Sequence, residues 1–350
     1  MIPIDLENGV CRRLWTSLAR DRTFKTLGLA AILIVLMGSL RPDRPRGLYE
    51  KRYWATKISW RHCADIVLTG DSRVLGGVSP AEMRKTLGDR RIVNYAFASN
   101  LYTPEYLDAV EQVLDPESSD RVILLGITPH SLTEDPDVTG QFTSLKGLSR
   151  RQIYVDIHLA PLLSFFDYMS FGDALKGLFP SLAGTRTQRE LWADGWLAYD
   201  RQPPGEKKEL KKYARMYQKS RVSSKMVDDL NAFVARWTGM GIRVYAFLMP
   251  SCREMADLEE QYSGFDQRRF VEDFARAGGT WIDADPRRHD SFDGSHLGRQ
   301  AALEFSRELA GQIHEMEQHW HAPASGKGRE SPVPHATMQR PLRTGGSLEP

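Results

Sequence analysis

The sequence predicts a three-layer αβα domain built on a five-stranded parallel sheet. Short, almost wholly apolar runs recur at Ile66–Thr69, Ile92–Phe97, Val122–Ile127, Val244–Met249 and Thr280–Ile282. Helix signals stand between the early ones, and strands that lack polar alternation need cover on both faces. A length of 350 residues, with 41% hydrophobic and 26% charged residues, gives ample chain for one large core.

Residues 1–25 are polar and arginine-rich, and form the expected cytoplasmic tail. No charge appears from Leu27 to Leu40, after which Arg41-Pro42-Asp43-Arg44-Pro45-Arg46 makes an abrupt polar stop. Fourteen residues span only about 21 Å, against a bilayer core of about 30 Å. Extending back to Thr23, with Lys25 snorkelling, approaches the lower limit for a span. Three readings stand: an uncleaved signal anchor over 26–40, a cleaved signal peptide, or a buried helix. The anchor is favoured. Met37-Gly38-Ser39 is a poor cleavage pattern, and the run has no polar face to suit a soluble core helix. Basic residues flank it on both sides. Its orientation, tail inside and domain outside, therefore rests on the short tail and the large following domain.

Residues 41–60 read as a linker with a short helix or irregular lead-in, and the α/β domain as 61–318. Ser79-Pro80 and Thr103-Pro104 each place a capping residue before a proline at the first helical turn. Tyr106, Leu107, Val110, Val113 and Leu114 follow the second at helical spacing. Residues 130–240 interrupt the rhythm as a helical insertion, with helical patterns at Glu206–Lys219 and Val227–Trp237. Its aromatic residues (Phe165, Phe166, Tyr168, Phe171, Trp192, Trp196, Tyr199) read either as a substrate lid or as an extra packing layer, the latter being the safer reading for any single ring. A last helix is expected at Gln300–Ile313, and a disordered tail from His319 to Pro350.

The formal charge of +2 and the scatter of the arginines give no reason to expect a nucleic-acid partner. The three cysteines, Cys11, Cys63 and Cys252, have no metal-ligand spacing, and no metal or cofactor is expected. Cys63 precedes the first strand and Cys252 follows the fourth. Opposite sheet edges stand roughly 17–20 Å apart, beyond the reach of a disulfide.

The chemistry centres on Gly70-Asp71-Ser72 at the end of the first strand. By itself the tripeptide reads as a turn with a helix cap. A serine there, however, lies at the carboxyl edge where open parallel sheets hold their ligands. A serine nucleophile needs a base and the base an orienter. Of nine histidines, His296 stands apart by its setting, Ser291-Phe292-Asp293-Gly294-Ser295-His296, in a loop that follows the last strand and precedes the last helix. Asp293 can meet Nδ1 and leave Nε2 for a serine, or Asp293 and Ser295 can simply cap the last helix.

Together, Gly-Asp-Ser after the first strand and Asp-x-x-His after the last resemble the SGNH (GDSL-like) hydrolase superfamily, over roughly residues 64–130 and 240–312. The resemblance implies Ser72 as nucleophile, His296 as general base and Asp293 as its orienter. It implies an oxyanion hole from the Ser72 amide, a glycine after the second strand and an asparagine after the third. Here Ser99 or Asn100 stands near the glycine position and Thr128 near the asparagine, which argues against vigorous general esterase activity. The N-terminal anchor makes the chain similar to the membrane-anchored branch that modifies cell envelopes. That branch implies an acyl ester or polysaccharide substrate and a membrane-bound O-acyltransferase as partner. Leu248–Met255 resembles its substrate-side loop. The readings are a serine esterase or O-acyltransferase, a non-catalytic module that binds glycan or scaffolds an acyltransferase, and, last, a phosphate-binding domain. The last lacks a glycine-rich cradle after any strand.

Overall fold

A computed structural model describes residues 22–39, 46–134, 140–159, 188–201, 206–284, 289 and 291–321. Five parallel strands, β1 (Ile66–Thr69), β2 (Ile92–Asn94), β3 (Val122–Ile127), β6 (Arg243–Leu248) and β7 (Thr280–Ile282), lie in the order β2-β1-β3-β6-β7. Ile66 pairs with both Ile92 and Val122, Val122 pairs with Arg243, and Tyr245 pairs with Thr280. Every residue of β1 and β3 is buried, so both faces of the sheet centre are covered.

The helices follow from local signals. Asp71 caps α3 (Ser72–Gly77), Ser79 caps α4 (Pro80–Leu87) and Thr103 caps α5 (Pro104–Val113), each side chain accepting a first-turn amide. The long α12 (Arg299–His321) packs on α4, and α9 (Ser224–Gly239) packs on α5, α11 (Gln267–Arg276) and β6. Gly126 in β3 is required by close approach, because a Cβ there would stand 2.2 Å from Val74 Cγ2 on α3. Two tyrosines stitch the carboxyl ends of the strands. The Tyr102 hydroxyl reaches the carbonyls of Thr69 and Gly126, and Tyr106 donates to the Tyr95 carbonyl while accepting from Thr69 Oγ1.

Several boundaries differ from expectation. β2 ends at Asn94 rather than Phe97, because the Asn94 side chain accepts from the Ala96 amide and donates to the carbonyls of Val74 and Val78. That turn draws the chain off the sheet. The helix allowed for in 41–60 is α2 (Arg46–Ser59), and its Trp54, Ala55 and Ile58 are buried in the core, so this part of the lead-in packs on the domain. The last helix runs on to His321.

Helices alone were expected in 130–240, but the structure has an antiparallel hairpin there, β4 (Gln188–Leu191) and β5 (Leu197–Arg201). Within the same stretch, α9 places Met226, Leu230, Val234 and Trp237 in the main core, so it serves as a crossover helix of the body. Trp196 of the hairpin is buried and donates to the Gly76 carbonyl, which is the packing role rather than the lid role. Phe165, Phe166, Tyr168 and Phe171 lie outside the described residues, as do 322–350.

Helix α1 (Arg22–Ser39) covers the expected anchor, and Leu27, Leu29, Ile32 and Leu33 on it are exposed. Among the described residues no helix is long and apolar enough to cross a membrane. Neither Cys63 nor Cys252 is in a disulfide among the described residues, and Cys11 is outside them.

Candidate active site

Three of the residues singled out in the sequence meet at the carboxyl edge of the sheet. Ser72 opens α3 directly after β1, half-buried. The loop between β7 and α12 delivers Asp293 and His296 to it. His296 Nδ1 lies 2.8 Å from Asp293 Oδ2, and His296 Nε2 lies 2.9 Å from Ser72 Oγ. A carboxylate can only accept, so Nδ1 carries the proton, Nε2 is the acceptor, and the Ser72 hydroxyl donates to it.

The loop shapes itself around Asp293. Its other oxygen, Oδ1, accepts the backbone amides of Ser295 at 2.9 Å and His296 at 2.8 Å. Asp293 is therefore an orienter of its own loop and not a cap of α12. Burial opposes the charge on Asp293, but the hydrogen bond and charge of His296 and the two amides outweigh it and hold the carboxyl below its ordinary value.

The sign of the consequence follows from that depression. An unfolded Asp titrates near about 3.9. The stabilisation from the depressed Asp293 is complete above that value and is lost as pH falls through the lower, folded value. The stability difference between wild type and Asp293→Asn, read by urea unfolding, is expected to be widest near neutral pH and to narrow on acidification below about pH 4. A difference that stays constant down to pH 2 contradicts this assignment.

Aromatic side chains frame the imidazole. The Phe292 ring stacks near His296 at 6.0 Å between centroids, and Tyr199 of the hairpin stands 6.1 Å from it. Tyr199 reaches this place across Gly76 of α3, where a Cβ would come within 2.4 Å of the Tyr199 ring. Burial raises the Tyr199 phenol to about 12, so it is neutral near pH 7. The hairpin is held from behind by Lys57 Nζ, which donates to the Gly195 carbonyl at 2.9 Å, and by Arg84, which meets Asp194 at 3.1 Å.

The expected oxyanion donors separate into two groups. Thr128 is buried with its hydroxyl donating to Asp71 Oδ2 at 2.7 Å, so it is not free to serve an oxyanion. The reason is local. Asp71 Oδ1 already accepts the Arg73 amide, and its second buried oxygen needs a donor. Ser99 adopts φ 51°, the left-handed conformation that a glycine takes without cost. Its loop is fixed by the Ala98 amide on Gln141 Oε1 and by the Gln141 amide on the Ala98 carbonyl. Next to it, Asn100 Nδ2 is buried with no hydrogen-bond partner among the described residues.

Sequence reasoning missed the residues behind the three. Arg73 is 1% exposed and lies within α10 contacts: Nη1 and Nη2 meet Glu259 of α10 (Arg253–Tyr262) at 3.2 and 2.5 Å. Its Nε donates to Ser295 Oγ at 3.0 Å, and the Tyr213 ring lies beneath it at 5.1 Å. Tyr217 donates to Glu259 Oε1 at 3.2 Å. Burial opposes the guanidinium charge, while Glu259 offsets it and holds Arg73 above its ordinary value. Among the described residues no group of three or more His, Cys, Asp or Glu could hold a metal. The cleft bounded by Ile58, Arg61, Tyr95, Phe142 and Ile153 includes none of the three site residues.

No protein-family model and no curated protein matches the chain. Among solved structures it is similar to a Streptococcus pneumonia protein provisionally described as a platelet activating factor. The identity is 11% and the TM-score 0.33, over 80% of this chain and 99% of that one.

Proposed function

We propose that the protein is a serine esterase or O-acyltransferase that works through an acyl-serine on Ser72. One observation supports the reading above all others: the chain of contacts from Asp293 Oδ2 through His296 to Ser72 Oγ, at 2.8 and 2.9 Å. These are the spacings at which a base can take a hydroxyl proton and be held in the right tautomer while doing so. In the reaction, Ser72 Oγ attacks the acyl carbon and its proton passes to His296 Nε2. Asp293 stabilises the resulting imidazolium. His296 then returns the proton to the leaving oxygen, and water or a hydroxyl acceptor releases the acyl group by the reverse sequence. The developing oxyanion falls to the amides of Ser72 and Ser99 and to Asn100 Nδ2. The resemblance to the SGNH superfamily supports the two amides in this role, and Asn100 Nδ2 is added because it is buried without a hydrogen-bond partner among the described residues.

An acyl-serine that forms faster than it is cleared has a kinetic signature. Full-length protein mixed with p-nitrophenyl acetate is expected to release a burst of p-nitrophenol proportional to protein concentration. A wild-type trace with neither a burst nor turnover above that of Ser72→Ala sinks the proposal. The second reading, a binding module without catalysis, draws on the commitment of Thr128 to Asp71, which removes one side-chain donor.

The substrate class we propose is an acyl ester on a cell-envelope polysaccharide, with the chain anchored by α1 and its α/β body outside the cytoplasm. A membrane-bound O-acyltransferase would then supply or receive the acyl group. The exposed Leu27, Leu29, Ile32 and Leu33 support contact with an apolar phase. A reporter fused after Pro350 that works only outside the cytoplasm is expected to be active. Activity from a cytoplasm-only reporter in its place overturns the topology.

A further inference from the structure

Ser72 and His296 are 224 residues apart in sequence, yet their reactive atoms must hold a separation near 2.9 Å. Short elements carry both, a six-residue helix and a turn, and neither is rigid by itself. What sits directly behind them is one buried side chain. Arg73 is the residue after Ser72, and Ser295, the residue before His296, receives its Nε hydrogen bond at 3.0 Å. Successive helical side chains point about 100° apart. Arg73 therefore turns into the protein while Ser72 faces the edge.

We propose that Arg73 is a positioning residue that ties the serine-bearing helix to the histidine-bearing loop, with Glu259 as its anchor. The inference rests on the reading of Ser72 and His296 as the reacting pair. Arg73 uses its guanidinium as a three-way joint. Two nitrogens are fixed by the Glu259 carboxylate, which leaves Nε aimed at Ser295 Oγ. A planar guanidinium gripped bidentately has little freedom to move. Tyr217 holds Glu259 from the far side, and the Ser295 hydroxyl lies 3.3 Å from the Tyr213 hydroxyl. Helix α10 supports the same loop a second time, through the Cys252 amide on the Gly294 carbonyl at 3.0 Å. Both supports converge on the two residues before His296. Without the Arg73 bond, the Asp293 turn still exists, but its place relative to α3 is no longer fixed at Ser295.

The test uses the full chain and four variants: Ser295→Ala, which removes the acceptor of Arg73 Nε and its contact with the Tyr213 hydroxyl; Glu259→Gln, which keeps shape but removes the anchoring charge; the double variant of these two; and His296→Ala as an assignment control. Nitrogen chemical shifts of histidine-labelled protein report whether His296 Nε2 accepts the Ser72 hydroxyl. Wild type is expected to show a hydrogen-bonded Nε2, while Ser295→Ala and Glu259→Gln move it toward the value of an unbonded imidazole nitrogen, with the proton on Nδ1 still held by Asp293. Labelling of Ser72 by a fluorophosphonate is expected to slow by about 10- to 100-fold in either variant, the range that a misplacement of about 1 Å costs. The double variant should be no slower than the worse single one, since both act through Arg73. A residue that merely supported the fold would move the melting temperature and leave the Nε2 shift alone. The inference is overturned by Ser295→Ala that keeps both the wild-type Nε2 shift and the wild-type labelling rate. If wild type shows the hydrogen-bonded Nε2 and its loss in the variants, yet Ser72 never labels, the acyl chemistry fails while the positioning role stands.

Discussion

Ser72→Ala is expected to lower p-nitrophenyl acetate turnover by at least about 10³-fold, the scale of loss when a serine nucleophile is removed from such a relay. The size follows from what the other groups can do without it. His296 and Asp293 keep their 2.8 Å contact, but the imidazole then has only water to activate. The covalent step that divides one difficult reaction into two easier ones is gone. Ser72 is half-buried and donates only to His296 among the contacts described for its hydroxyl. Its loss should barely change stability, and unfolding curves of the two proteins should superimpose within about 0.5 kcal/mol. A variant that retains a tenth of the wild-type rate excludes Ser72 as nucleophile.

Glu259→Leu is expected to cost about 3–5 kcal/mol of stability, read by urea unfolding, because it strands a buried guanidinium. Arg73 and Glu259 side chains are 1% and 9% exposed, so water cannot take over the lost contacts. Tyr217 loses its acceptor as well. Replacing both, as Arg73→Met with Glu259→Leu, should recover much of the stability, since apolar pairs often substitute for buried ion pairs without loss. Labelling of Ser72 should stay slow in that double variant. Stability and reactivity would then separate, as expected if the pair is kept for geometry rather than for folding. A single variant that loses less than about 1 kcal/mol shows the cluster to be more hydrated than its burial implies.

The parts of this molecule that could be read from the sequence are those written in adjacent residues. The runs at Ile66, Val122 and Arg243–Leu248 are fully or largely buried strands, and a buried strand advertises itself by having no polar face. Ser79 and Thr103 are caps because a capping side chain reaches only the next turn. Asp293 and His296 lie three residues apart, so a single turn brings them together wherever it is placed. Their meeting with Ser72 needed a parallel sheet as well, which the rhythm of strands implied, although the order of its strands is visible only in the structure.

What escaped was long-range or polar. Nothing near Arg73 in sequence points to Glu259, which is 186 residues away, and an arginine after a serine ordinarily reads as surface. The strand Gln188–Leu191 is Gln-Arg-Glu-Leu, too polar to stand out, and it pairs with only one partner. Thr128 looked available as a donor because its competitor, Asp71, lies on another strand end. The helix Ser224–Gly239 has a clear apolar face, but periodicity does not say which core that face enters. The left-handed Ser99 is a feature of backbone conformation that a serine does not announce.

The most direct test of the central claim is a fluorophosphonate reaction on full-length protein, followed by peptide mapping of the adduct. The account predicts one stoichiometric phosphonyl group on the peptide that contains Ser72, absent from Ser72→Ala and strongly slowed in His296→Ala. An adduct on any other serine, or equal labelling of wild type and Ser72→Ala, contradicts it.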